Sequence, residues 1–388
     1  MPIDKHPDEP GRISRRELFK RGAMTGAGLM GLGAIGLNDV DSAFAAFLEA
    51  GNYPAKLVAA AEKEGHLNII ACPRDWANYG EIIDTYQSKW KMSITDAIPL
   101  GSSAQELQAV QNYKGQSRAP DTLDVSPAIA LEAAQDKVLM PYKVATWSTI
   151  PADAKNSSGL WYADYYGVTS FLSVNQFVKN PPKEWADLTK PEYKGQVALG
   201  GDPRTSGEAF GAVFGAALAH GGSLNNIGPG IDFFAKIKAA GNWNPTLGNE
   251  IANDAKGATP IVIRWDYLTL ADRDSLAKQG MKATVNVPST VFAEYYCQAI
   301  SKYAPHPNAA KLWQEFIYSD QGQLLYLKGY AHPIRYSDLA KRNKVPASLA
   351  KKLPASKHYN NIKFPTYAQL VKAQAVLTKE WGPKMGVS

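Results

Sequence analysis

The feature that most limits how this chain can fold is a regular alternation of short apolar runs with amphipathic stretches, beginning at Pro54. Residues 54–64 (PAKLVAAAEKE) space their apolar side chains by three and four behind a first-turn proline, which predicts a helix ended by Gly65. His66–Cys72 then predicts a strand, and 79–90 a helix with Ile82, Ile83 and Tyr86 on one side. The pattern continues with helix 104–113, strand Thr122–Val125 and helix 128–135. Farther on come strands at Val197–Leu199 and Pro260–Ile263, with helices at 207–219, 230–240 and 269–278. Such alternation packs as α/β layers around a largely parallel sheet. Two stretches depart from it: 161–175 (WYADYYGVTSFLSVN) and 283–300, both β-rich, the second broken by Pro288. The chain has 388 residues, and single cores stop growing near ~250–300, so two lobes are expected.

The first 45 residues read as an address. Ser14-Arg15-Arg16-Glu17-Leu18-Phe19-Lys20 resembles the twin-arginine export signature, and a glycine-rich, weakly apolar run follows from Gly22 to Leu37. That run is too short and too glycine-rich for a good membrane span, which takes ~20 predominantly apolar residues. Ala43-Phe44-Ala45 has the small-x-small form of a cleavage site, placing the mature start at Ala46. Residues 1–45 hold six Lys/Arg and six Asp/Glu, so the mature chain keeps the net charge of +6. The expected product is exported, soluble and periplasmic.

Composition removes several function classes. The +6 charge is spread along the chain rather than gathered in a patch, so no nucleic-acid surface is indicated. Cys72 and Cys297 are the two cysteines, and the six histidines (His6, His66, His220, His306, His332, His358) are scattered. No zinc, iron–sulfur or HExxH spacing results, and neither metal nor cofactor is expected. Twin-arginine cargoes include cofactor enzymes, which keeps an exported enzyme open as a rival class. Neither a nucleophile elbow nor a dinucleotide fingerprint is present, however, and no catalytic residues are assigned. An oxidising compartment would permit a Cys72–Cys297 disulfide without requiring one.

At Lys183–Leu199 the chain reads KEWADLTKPEYKGQVAL, followed by Gly201-Asp202-Pro203-Arg204-Thr205-Ser206-Gly207 opening a helix. Together with Pro141-Tyr142, Tyr165-Tyr166-Gly167-Val168 and PNAAKLWQEFIYSDQGQ from Pro307, this ordered set resembles the periplasmic solute-binding proteins of ABC importers. The branch it is most similar to carries iron, polyamines, thiamine or phosphonates. The resemblance implies a type II periplasmic-binding-protein fold: two α/β lobes joined by two β-rich crossovers. Lobe one would be 46–160 plus 299–388, lobe two 176–282, and the crossovers 161–175 and 283–298. It also implies inner-membrane ABC permease subunits as partners, a small-molecule ligand between closing lobes of a monomer, and no enzymatic activity. A sensor subunit presenting ligand to a membrane receptor is the further alternative.

Ligands of open α/β sheets sit beyond the carboxyl ends of strands, so the loops there supply the candidates. After the first strand come Arg74, Asp75 and Trp76; Ser102 and Ser103 open a helix; Asp124 and Ser126 end the next strand. On the other lobe Arg204, Thr205 and Ser206 open a helix, and Trp265, Asp266 and Tyr267 follow an apolar strand. Glu294 lies on the second crossover. Two ligand readings divide these residues. Trp76, Trp265, Asp75, Asp124, Asp266 and Glu294 suit an organic cation or zwitterion such as a polyamine or thiamine-like compound, by charge pairing and cation–π attraction. Arg74, Arg204 and the hydroxyls at Ser102, Ser103, Thr205 and Ser206 suit a phosphonate or organophosphate at helix N-termini, although simple capping explains those serines equally. The cationic or zwitterionic solute is preferred. Ferric ion is disfavoured, because iron-binding relatives carry adjacent tyrosines where only Tyr267 matches, and no H-x-E follows the first strand. The neighbouring Tyr295 and Tyr296 fall on a strand and face opposite sides, which suggests core packing for at least one of them.

Overall fold

The computed structural model describes residues 53–387 apart from 247, 249, 355–358, 360, 361 and 363. The twin-arginine segment, the Ala43-Phe44-Ala45 site and the mature start at Ala46 lie outside the described residues. From the first described residue onward the expected alternation appears. It runs α1 (Ala55–Glu64), β1 (His66–Ile70), α2 (Tyr79–Trp90), β2 (Ser93–Ala97), α3 (Ser103–Asn112), β3 (Thr122–Val125), α4 (Pro127–Gln135) and β4 (Leu139–Met140). Gly65 closes α1 in the left-handed region, at φ 66°. The first strand stops two residues short of the expected Cys72, because Ala71 takes a left-handed φ of 54° and turns the chain toward Pro73.

The first β-rich stretch is one continuous strand, β5 (Trp161–Val174). There follow β6 (Val197–Leu199), α5 (Gly207–Ala219), α6 (Gly228–Ala239), α7 (Ile251–Ala255), β7 (Ile261–Trp265), α8 (Asp266–Lys278) and β8 (Ala283–Asn286). No loop separates β7 from α8, so the helix begins three residues earlier than its periodicity suggested. Pro288 separates β8 from β9 (Ala293–Ser301), since a proline cannot donate to a ladder. The chain ends with α9 (Pro307–Ile317), α10 (Asp320–Lys328), β10 (His332–Pro333), α11 (Tyr336–Lys341), α12 (Ala347–Ala350) and α13 (Tyr367–Met385).

Strand pairing explains the two lobes. β1 and β2 pair in parallel, and a second path runs β3-β9-β5-β7-β6, with β6 parallel to β7. The first half of β5 pairs antiparallel with β9, and its second half with β7 and β8. β5 therefore leaves one lobe and enters the other without interruption. The ladder between β5 and β9 shifts register between Ala163 and Tyr166, a bulge where the strand passes between lobes. The sheet is mixed rather than largely parallel, because both crossovers return against the direction of their neighbours.

Each lobe has an aromatic core. On one side Tyr86, Trp90, Trp313 and Phe316 interlock, with the Tyr86 and Trp313 rings 5.2 Å apart. On the other, α5 lies close on the sheet because glycines recur every four residues along it. A Cβ at Gly211 would stand 2.3 Å from Cη2 of Trp265, and one at Gly215 2.7 Å from Cζ2 of Trp185. The indoles occupy the space those side chains would need. The last helix, α13, packs on α6 through Trp381 against Phe234 (5.7 Å) and Lys384 against Asp232 (2.7 Å), and it also touches α4. No helix among the described residues is long and apolar enough to cross a membrane.

Candidate functional site

Carboxyl ends of strands from both lobes meet at the crossovers. Asp124, next to last in β3, is buried, and its Oδ2 accepts hydrogen bonds from the Tyr79 hydroxyl (2.8 Å) and the Tyr165 hydroxyl (3.4 Å). Its other oxygen, Oδ1, is buried with no hydrogen-bond partner among the described residues. The Asp124 backbone N–H donates to Oε2 of Glu106 (2.9 Å), which stands in the first turn of α3 and is itself buried. Burial pushes both carboxyls well above their ordinary range, and each is raised further by a neighbouring carboxylate.

Tyrosines pack around Asp124. Tyr165 of β5 stacks on Tyr296 of β9 (5.6 Å between rings, 19° between planes) and meets Tyr267 of α8 edge-on at 5.6 Å. Gly167 makes room for that edge, since a Cβ there would lie 2.7 Å from the Tyr267 ring. The Tyr267 hydroxyl is buried without a partner among the described residues. Strand alternation puts Glu294 on the same face of β9 as Tyr296 and Gln298. Glu294 is half-buried, and desolvation raises its carboxyl to about 8. A Cβ at Gly207 would come within 4.0 Å of the Tyr296 hydroxyl, so the start of α5 forms the opposite wall.

The arginines are neutralised locally. Arg264 reaches Glu208 with Nε (2.8 Å) and Asp272 with a terminal nitrogen (2.6 Å), all three largely buried in lobe two. Arg204 binds Asp202 at 2.6 Å, and exposed Arg74 binds Asp84 at 2.6 Å. The serines hold helix starts. Ser102 caps α3 by accepting from Gln105 N–H, Ser206 caps α5 by accepting from Ala209 N–H, and the Ser103 hydroxyl accepts from Ser126 N–H. Thr205 donates back to the carbonyl of Asp202.

The expected residues thus separate. Asp124, Tyr267 and Glu294 gather around the rings of Tyr165 and Tyr296. Trp265, anticipated as an open stacking surface, is fully buried beneath α5 and lies beside Phe292 at 6.2 Å. Asp266 holds the lobe junction by accepting from Val168 N–H (2.9 Å) and from the Tyr359 hydroxyl, and burial leaves its carboxyl at about 6. Trp76 packs half-buried on the core, while Asp75 is exposed and near enough to Asp272 to raise its carboxyl. Sequence reasoning passed over Glu106, Tyr79 and Tyr165 as site residues, and weighed Tyr296 only together with Tyr295, assigning at least one of the two to core packing. An acid in a first helical turn reads as a partner of the helix dipole, and a tyrosine in a strand reads as core. Cys72 and Cys297 are both buried and unpaired with each other. No cluster of three His, Cys, Asp or Glu side chains suited to a metal occurs among the described residues.

Against known proteins, the family described as bacterial extracellular solute-binding protein matches residues 120–370. No curated protein matches. Among solved structures, the chain is similar to iron-bound HitA from Pseudomonas aeruginosa, with 17% identity, 81% of this chain and 97% of that one covered, and a TM-score of 0.60. It is also similar to AfuA from Actinobacillus pleuropneumoniae with fructose-6-phosphate bound, at 20% identity, 83% and 99% coverage and a TM-score of 0.63. The spermidine/putrescine substrate-binding protein PotD from Streptococcus pneumoniae gives 14% identity, 82% and 99% coverage and a TM-score of 0.60. At these identities the likeness establishes the fold, which is the expected type II arrangement of two lobes and two crossovers.

Proposed function

The chain belongs to the bacterial extracellular solute-binding proteins, and from that premise we propose that it captures a small organic cation or zwitterion for an ABC importer. The observation that carries this reading is the unpartnered Oδ1 of Asp124, set among the buried Glu106 carboxyl and the rings of Tyr79 and Tyr165. A buried carboxylate without a counter-charge is costly, and tyrosine faces attract cations. An ammonium placed there satisfies both at once. The guanidiniums an anion would need are already held, Arg74 by Asp84 and Arg204 by Asp202. The family and fold are those of substrate-binding proteins rather than enzymes.

On this reading the twin-arginine segment around Arg15 and Arg16 delivers the chain to the periplasm. There it works as a monomer and hands its solute to permease subunits in the inner membrane. Thermal shift against putrescine, spermidine, thiamine, methylphosphonate (which carries no amine) and ferric citrate tests the ligand class. A solute at ~100 times its dissociation constant adds about 2.7 kcal/mol and visibly raises the melting point. Shifts with the ammonium compounds alone support the cation reading; a shift with the phosphonate or iron alone defeats it.

A further inference from the structure

Beneath Asp124 lies a second buried carboxyl, that of Asp164 in the bulged part of β5. Both reach one phenol oxygen: the Tyr79 hydroxyl is 2.8 Å from Oδ2 of Asp124 and 3.4 Å from Oδ2 of Asp164. That hydroxyl has a single hydrogen, so it serves one carboxylate at a time. The Gln298 amide donates to the Tyr79 oxygen (3.0 Å) and to Asp164 (3.2 Å), and the Tyr326 hydroxyl reaches Asp164 at 3.1 Å.

The titratable groups facing the pair are neutral or acidic. Tyr79 comes from α2, Glu106 from α3, Tyr165 from β5, Tyr326 from α10, Tyr296 from β9 and Tyr267 from α8. The thiols of Cys72 and Cys297 and the phenol of Tyr318 complete the surroundings. Among the described residues, no Lys, Arg or His forms an ion pair with either carboxyl. Two buried carboxylates close together without a cation repel strongly, and retaining one proton is the way such pairs relieve it.

We propose that Asp124 and Asp164 share one proton at neutral pH, and that an incoming solute cation takes that proton's place beside Asp124. Asp164 is the positioning residue: it touches no solute but fixes how Asp124 is charged when the cleft is empty. The exchange balances, one ammonium bound against one proton released to solvent. Burial raises both carboxyls, each with the other close by, in keeping with a retained proton. The exchange rests on the cation reading of the site; the shared proton does not.

Infrared difference spectra of the ligand-free protein at neutral pH test the shared proton. Asp124→Asn and Asp164→Asn should each remove the same protonated-carboxyl band, and the double variant should remove nothing more. A double variant that loses twice as much, or single variants that lose nothing, overturns it. Calorimetry with spermidine in two buffers of different ionisation enthalpy tests the exchange. One proton should leave per spermidine bound, with affinity rising about tenfold per pH unit below the titration of the pair. Asp164→Asn should still bind but release none, with a flat pH profile. Binding of spermidine to the wild type without proton release overturns the exchange, and this comparison decides it even if the variant fails to fold. Absence of any spermidine binding removes the cation reading and the exchange together, and the infrared result then decides the shared proton alone.

Discussion

Asp124 carries more of the proposed function than any other residue, because one of its oxygens is hydrogen-bonded and the other is not. Asp124→Asn keeps the shape and removes the charge. It should weaken capture of an ammonium solute by about thirtyfold or more, matching the roughly 2–5 kcal/mol seen when one partner of a buried charge pair is lost. Arg74→Ala and Arg204→Ala should leave affinity within about twofold, since losses at surface ion pairs away from a ligand are small. Calorimetry on the three variants checks both halves, and a large loss at either arginine would return the site to an anion. Asp124 and Glu294 were legible as candidates because they are acids near strand ends. Glu106 and Tyr296 were not, because nothing local distinguishes an acid serving a helix dipole, or a tyrosine filling a core, from one lining a cleft.

Among the elements, α5 shows how a sequence pattern can be plain while its purpose stays hidden. Glycine at 207, 211 and 215 reads as a small-residue helix, and only the packing reveals Trp265 and Trp185 as its partners. Gly211→Ala drives a methyl into the Trp265 ring and should cost about 1–3 kcal/mol, as overpacking does. A urea midpoint unchanged in that variant would mean the indole moves aside freely. The strand–helix alternation was readable because the two periods differ, and Pro288 marked the break before β9 for a covalent reason. The direct passage from β7 into α8 was not readable, because a polar strand end and a polar helix start look alike in composition. Trp265 lies buried rather than open because the glycines of α5 bring that helix down onto its ring.

For the whole molecule, several buried carboxyls bear on stability in the same direction. Glu294 titrates at about 8 and Asp254 at about 7, both raised by burial above ordinary carboxyl values of 4.5 and 3.8. The folded chain therefore keeps protons that the unfolded chain has lost, and stability falls as pH rises through these values. His332, lowered to about 3 by burial, acts oppositely, but only below its ordinary 6.5. Between pH 6.5 and 8 the carboxyls act without that opposition, so the ligand-free melting point should decline across this window. A melting point that climbs there would show that these groups ionise freely in the folded state. Arg15→Lys with Arg16→Lys should leave unprocessed precursor in the cytoplasm, and normal export would refute the twin-arginine assignment. The two-lobe architecture was legible because 161–175 and 283–300 interrupt a regular pattern. Strand order was not, since pairing β9 between β3 and β5 depends on contacts far apart in sequence.

The crossovers β5 and β9 are hydrogen-bonded neighbours, not two separate strings. A paired ribbon flexes across its face by redistributing twist, whereas sliding one strand along the other would break every ladder bond. Such a ribbon is comparable to a leaf spring, softer to bending than to sliding. Bending of that ribbon is the coordinate that a pair of probes placed one on each lobe would read, and α13, which packs on α6 and touches α4, would have to follow it.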